Sequence, residues 1–128
     1  MAKGHDKHKA HQAAVAALGR GIARRAKSAC ELCESGGSLK VYEVAGGPAE
    51  PDEDWAVMLC ERCAEVHTEK RRHDASELRF LEGVVWSELR PVQIAAVRIT
   101  RRLAEGGAEW ARDTLDGLYL DEELEALI

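Results

Sequence analysis

From Ala13 to Lys27 the chain reads AAVAALGRGIARRAK, and Val15, Leu18, Ile22 and Ala26 recur every three or four residues. That spacing predicts an amphipathic helix over residues 13–27, weakened by Gly19 and Gly21, with its apolar stripe docked and its arginines outside. The stretch before it, MAKGHDKHKAHQ, has no apolar period, and residues 1–12 are expected to be a disordered arm. At SLKVYEV the period changes to two: Leu39, Val41 and Glu43 alternate with Lys40, Tyr42 and Val44, as in a short strand. AGGPAEPDED, with two Pro, two Gly and four acids, reads as a loop, and WAVML (55–59) as a second short strand. No Pro or Gly interrupts residues 61–72, where Ala64, Val66 and His67 sit among charges, so a helix is expected there, beginning near Cys60.

The run LRFLEGVVW (78–86) is ambiguous between a strand and an irregular core segment. After it, Ser87 is a candidate helix cap and Pro91 fits a first helical turn, where its missing N–H is not needed. Val92, Ala95, Ala96, Ile99 and Leu103 mark one face of a helix that Gly106 and Gly107 end. A second helix turns Trp110, Leu115 and Leu118 inward, and DEELEALI supplies a short acidic last turn or two. The fold class is therefore α+β: a basic arm (1–12), a helix (13–27), a cysteine-rich module (28–75) and a helical C-terminal part (76–128) packed on it.

Composition narrows the picture. A chain of 128 residues is one domain, and one Phe, two Tyr and three Trp leave small aliphatic side chains and a metal to supply much of the core's stability. No apolar run approaches the ~20 residues of a membrane helix, and the first twelve residues lack the apolar centre of a secretory signal. The expectation is a soluble cytoplasmic protein with no membrane partner. The net charge of −5 hides an asymmetry: residues 1–29 hold seven Lys or Arg against Asp6 alone, which is +6 and leaves −11 for the rest. A polyanion contact is accordingly sought in the basic arm.

All four cysteines lie in two CxxC pairs, Cys30/Cys33 and Cys60/Cys63. Disulfides do not suit a cytosolic chain, and thioredoxin-like chemistry leaves the second pair unexplained. One zinc ion accounts for both pairs, because each CxxC turn offers two thiolates and together they fill a tetrahedral shell. Such a shell has no position for water or substrate, so the zinc is expected to be structural. His67, four residues after Cys63, reads as a helix-surface residue near the site. Glu43, His67 and His73 are the set that could converge on a second divalent ion, whereas His5, His8 and His11 lie in the arm.

The segments CELC, LKVYEV and LCERCAEVH resemble a treble-clef or HNH-type arrangement. In such a nuclease a strand His would be the general base, with further His or Asn residues holding a catalytic ion; here Tyr42 and Glu43 occupy the strand position and the chain has no Asn. What carries over is the zinc scaffold. A second resemblance covers most of the chain from about residue 24: RAKSACELC, LKVYEV, MLCERC and VVWSELRPVQIAAVRITRRLAEGGAEWARDTLDGLYLDEE are similar, in order, to the PhnA-like family, named after an alkylphosphonate-utilisation operon protein. The resemblance implies a zinc-ribbon or treble-clef module followed by a helical C-terminal part. The longer basic arm and EGVVW depart from the family pattern.

These readings lead to a noncatalytic zinc-binding module that recognises a protein or a nucleic acid. Phosphate-contact candidates are Arg20, Arg24, Arg25 and Lys27 before the zinc site and Lys70, Arg71 and Arg72 after it. The helix pair over residues 91–118 carries Glu109, Asp113 and Asp116 on its second member, the wrong sign for a DNA groove. The competing readings are a metal-dependent hydrolase, as a degenerate HNH-type nuclease or a phosphonate-related enzyme, and a homodimer whose seam is Trp86, Trp110 and Tyr119.

Overall fold

Why the short strands survive in a chain this helical is answered by what covers them. The computed structural model describes the backbone of residues 2–128 and side chains from Asp6 onward. Strands β1 (Leu39–Glu43) and β2 (Ala56–Cys60) pair antiparallel, with Val41 opposite Met58 and Tyr42 opposite Val57. Along β2 the alternation is used on both faces. Ala56 and Met58 pack with Ile22 of helix α2 (Gly19–Ala26), while Val57 and Leu59 enter the main core with Cys30, Leu32 and helix α5 (Arg90–Glu105). That two-sided burial makes WAVML a continuous apolar run.

Helix α1 (Ala2–Ala17) precedes α2, and the chain turns at Leu18 between them. The single helix expected over residues 13–27 is thus two, and residues 2–12, expected to be a disordered arm, are helical; Met1 lies outside the described residues. The physical reason is propensity: alanine recurs along residues 2–17, no proline interrupts, and the helix packs against β1 although its faces are equally polar. Ile22 is fully buried and anchors α2, as the apolar stripe predicts.

After β2 comes helix α3 (Glu61–His67), shorter than the expected 61–72. It stops because Glu69 adopts φ 58°, and the amides of Glu69 and Lys70 bond back to the carbonyls of Val66 and Glu65. This is a glycine-type helix ending built without glycine, hence invisible to a search for breakers. The ambiguous run 78–86 is neither strand nor coil: a 3₁₀ turn (Ala75–Leu78) leads into helix α4 (Leu81–Val84).

Helix α5 (Arg90–Glu105) is the centre of the core, with Pro91 in its first turn as expected. Ser87 does not cap it; its hydroxyl accepts from the Leu89 amide just outside the helix. Ile94, Ala95, Ala96, Val97 and Ile99 are almost fully enclosed, more of the circumference than one amphipathic stripe provides. The reason is position: β2, α3 and α4 pack on α5, as do helix α6 (Glu109–Gly117) and the 3₁₀ turn Glu53–Trp55. Helix α7 (Glu122–Leu127) closes the chain, capped by the Asp121 carboxylate on the Leu124 amide at 2.6 Å. Among the described residues, no helix is long and apolar enough to cross a membrane.

Candidate metal centre

The first CxxC forms a tight knuckle ahead of β1. The Cys30 amide donates to the Ser35 carbonyl and the Glu34 amide to the Cys30 carbonyl, both at 2.8 Å, with Glu34 at φ 65°. The second pair straddles a strand-to-helix junction: Cys60 ends β2 and Cys63 lies in the first turn of α3. The hairpin folds one end onto the other, and the four sulfurs lie within 4.8 Å of one another. No disulfide joins them; Cys33 Sγ and Cys60 Sγ are 3.6 Å apart. Four sulfurs at ~2.3 Å from a tetrahedral ion stand about 3.8 Å from each other, so this cluster fits a metal.

Electrostatics support the same use. Hydrogen bonding to Cys63 draws the Cys30 thiol down to about 4, against the opposing effect of burial, with backbone N–H groups of Cys33, Cys60 and Leu32 assisting. Cys63 moves the opposite way, pushed up by that same hydrogen bond, by burial and by the neighbouring sulfurs. The two share one proton, the arrangement a cation displaces. At Cys33 burial opposes ionisation, yet the Ser35 hydroxyl, 3.1 Å from the sulfur, and the Ser35 backbone bring the thiol below its ordinary value. Arg62 lies beside the cluster over the ring of Phe80; burial works against its charge, and the sulfurs of Cys33 and Cys63 more than restore it. Four thiolates around a divalent ion total −2, which Arg62 offsets in part.

A residue between the first two cysteines locks this centre to the fold. The Glu31 carboxylate, 3% exposed, takes a two-pronged ion pair from Arg25 at 2.9 and 2.8 Å and accepts from the Met58 amide at 2.9 Å. The Glu31 amide donates to the Met58 carbonyl, and Arg25 also bonds the carbonyls of Glu53 and Ala56. Together they satisfy the open edge of β2, which would otherwise offer unpaired backbone groups. Neither residue's role was predictable from the pattern; the one clue is an acid inside a CxxC with an arginine six residues before it.

The other candidates separate. Arg20, Arg24 and Lys27 are exposed on and just after α2, whereas Arg25 is held by Glu31. Lys70 borders a groove with Tyr42, while Arg71 and Arg72 line a cleft on the far side of α3's end. Glu43, His67 and His73 do not converge. His67 Nε2 donates to the Glu43 carbonyl at 2.9 Å, the Glu43 carboxylate pairs with His11, and His73 stands by Glu65. The side chain of His5 lies outside the described residues. Among them the four cysteines are the one group of three or more metal-ligating side chains. Trp110 is half-buried and donates to the Ala75 carbonyl, but Trp86 and Tyr119 are exposed. No family model matches the chain, and neither a curated protein nor a solved structure matches it.

Proposed function

We propose that the four cysteines hold one structural zinc ion in a treble-clef type module of the PhnA-like kind, and that the chain is a noncatalytic binding module for nucleic acid. The observation that carries the metal reading is the mutual approach of the four sulfurs, two of them almost fully enclosed. All-thiolate tetrahedral donors favour zinc among common divalent ions. A shell closed by four thiolates leaves no site for water or substrate, and that weighs against the hydrolase alternative.

The partner reading rests on Arg20, Arg24 and Lys27, exposed on and just after one short helix with no carboxylate paired to them among the described residues. Cations so arranged suit phosphate contacts, which position a protein on nucleic acid without reading sequence. Native mass spectrometry tests the first part: one zinc per chain is expected, and protein purified without chelator that holds none overturns it. For the second, replacing Arg20, Arg24 and Lys27 by Ala removes three contacts, so the slope of log affinity against log salt on duplex DNA falls by ~2.7. An unchanged slope, or no binding at low salt, removes the nucleic-acid reading.

A further inference from the structure

A cleft of about 680 Å³ opens between the end of α3, the segment leading to the 3₁₀ turn at Ala75–Leu78, and the end of α5. Its size lies in the range of roughly 300–1,000 Å³ that small-molecule sites occupy. Half-buried Val66 and Leu103 contribute its reachable apolar lining; Leu78 and Ile99 also border it but are each 1% exposed. Its rim carries Arg71, Arg72 and Arg102 against one carboxylate, Glu69, and is cationic on balance.

The ordinary account of those arginines is that they offset the negative ends of α3 and α5. The backbone weakens that account, because both helix ends are already closed. The carbonyls of Ala64, Glu65 and Val66 accept from the amides of Thr68, Lys70 and Glu69, and those of Arg102, Leu103 and Ala104 from Gly106, Ala108 and Gly107. Arg102 holds Glu69 at 3.0 Å, Arg71 reaches Glu65 only at 3.9 Å, and Arg72 has no carboxylate partner among the described residues. Beneath the rim the Nε2 of His73 is buried with no hydrogen-bond partner, 3.5 Å from Glu65. Glu65 is shared between a loose arginine and an unsatisfied histidine. Arg71 and His73 both line the cleft, so each can turn to a ligand there without breaking a close contact.

We infer that this cleft binds a small organic anion with an apolar body, its charged group held by Arg71 and Arg72 and its body laid on Val66 and Leu103. This site is separate from the cysteine centre and from the basic face of α2, and it stands whether or not nucleic acid is a partner.

The test is a titration of the metal-loaded full chain with 1-naphthyl phosphate, followed by calorimetry and by NMR of backbone amides and the His73 ring. Saturable binding is expected, with shifts at residues 66–78 and 99–108 and a moving His73 ring signal. Inorganic phosphate and 1-naphthol should each bind at least about tenfold more weakly. Arg72→Ala removes an exposed group with no ion-pair partner among the described residues, so the fold is retained; affinity should drop about tenfold or more, the effect of losing one charge-assisted hydrogen bond. Equal affinity in that variant, shifts confined to residues 19–27, or inorganic phosphate binding as tightly as the naphthyl ester would each overturn the inference.

Discussion

Strand β2 is buried on both faces, but by different means. Toward α5 it meets a broad apolar interior in which Ile94, Val97 and Ile99 are all but inaccessible. Toward α2 it meets Ile22 and little else of bulk, and the remaining hold comes from the Arg25–Glu31 pair and from the knuckle that carries Glu31 between two cysteines. Burial of apolar surface is non-directional and tolerates small shifts. A two-pronged ion pair tied to a cysteine knuckle does not. The α2 face should therefore be the more sensitive to the proposed metal, although Cys30 and Cys63 also pack in the α5 interior, and the α5 face the more sensitive to volume.

Stripping the metal is the strongest way to break that contrast. Structural zinc contributes apparent free energies of about 10–16 kcal/mol in small fingers, and whole domains are stable by about 5–15 kcal/mol. Treatment with a strong chelator is expected to lower the melting transition steeply, and hydrogen exchange should show residues 19–35 losing protection before α5. Simultaneous loss in both regions would show that the two faces are one cooperative unit.

Next in size is a volume change on the opposite face. Ile94→Ala leaves a cavity at a fully enclosed site and should cost about 2–5 kcal/mol in denaturant unfolding, with metal content unchanged. Loss of metal in this variant would mean that the apolar interior positions the cysteines as well.

The smallest effect belongs to the hydrogen bond that joins α3 to β1. His67→Gln should cost about 1 kcal/mol near neutral pH, and the cost should depend on pH. Burial holds the His67 imidazole below its ordinary 6.5, with Arg98 and Arg102 adding to the effect and the Glu43 carbonyl opposing it. Below pH 6.5 the unfolded chain takes up a proton that the folded one refuses, so this contribution is present above that pH and lost as pH falls toward the folded value. Unfolding curves of parent and variant should thus draw together between pH 7.5 and 5.5. A gap that widens on acidification would mean that the ring is charged in the fold.

The cysteine cluster and both strands were readable because their signals are local: a spacing of two between cysteines and a period of two in side chains. The lower end of α3 was not, since Glu69 takes a backbone conformation usually left to glycine, and Thr68 and Lys70 give no warning of it. The break at Leu18 adjoins Gly19, one of the two glycines that weaken the helix pattern, but the apolar period continues across it and so gave one helix where there are two. Among the cations, pattern alone ranked Arg25 with Arg24; only the return of the chain through Glu31 and Met58 separates a structural arginine from an exposed one. Likewise Arg71, Arg72 and Arg102 become neighbours of one cleft through tertiary packing that no spacing encodes.

The Arg25–Glu31 lock also decides where the chain can be cut. A fragment starting at Ser28 keeps all four cysteines and the whole hairpin, yet it strands a carboxylate that is 3% exposed with no cation to meet it. The same cut uncovers the β2 edge that Arg25 shields, and an uncovered edge invites pairing with a second copy. The shortest piece that keeps this edge covered must therefore begin no later than Gly19, so that α2 travels with the cysteines it guards.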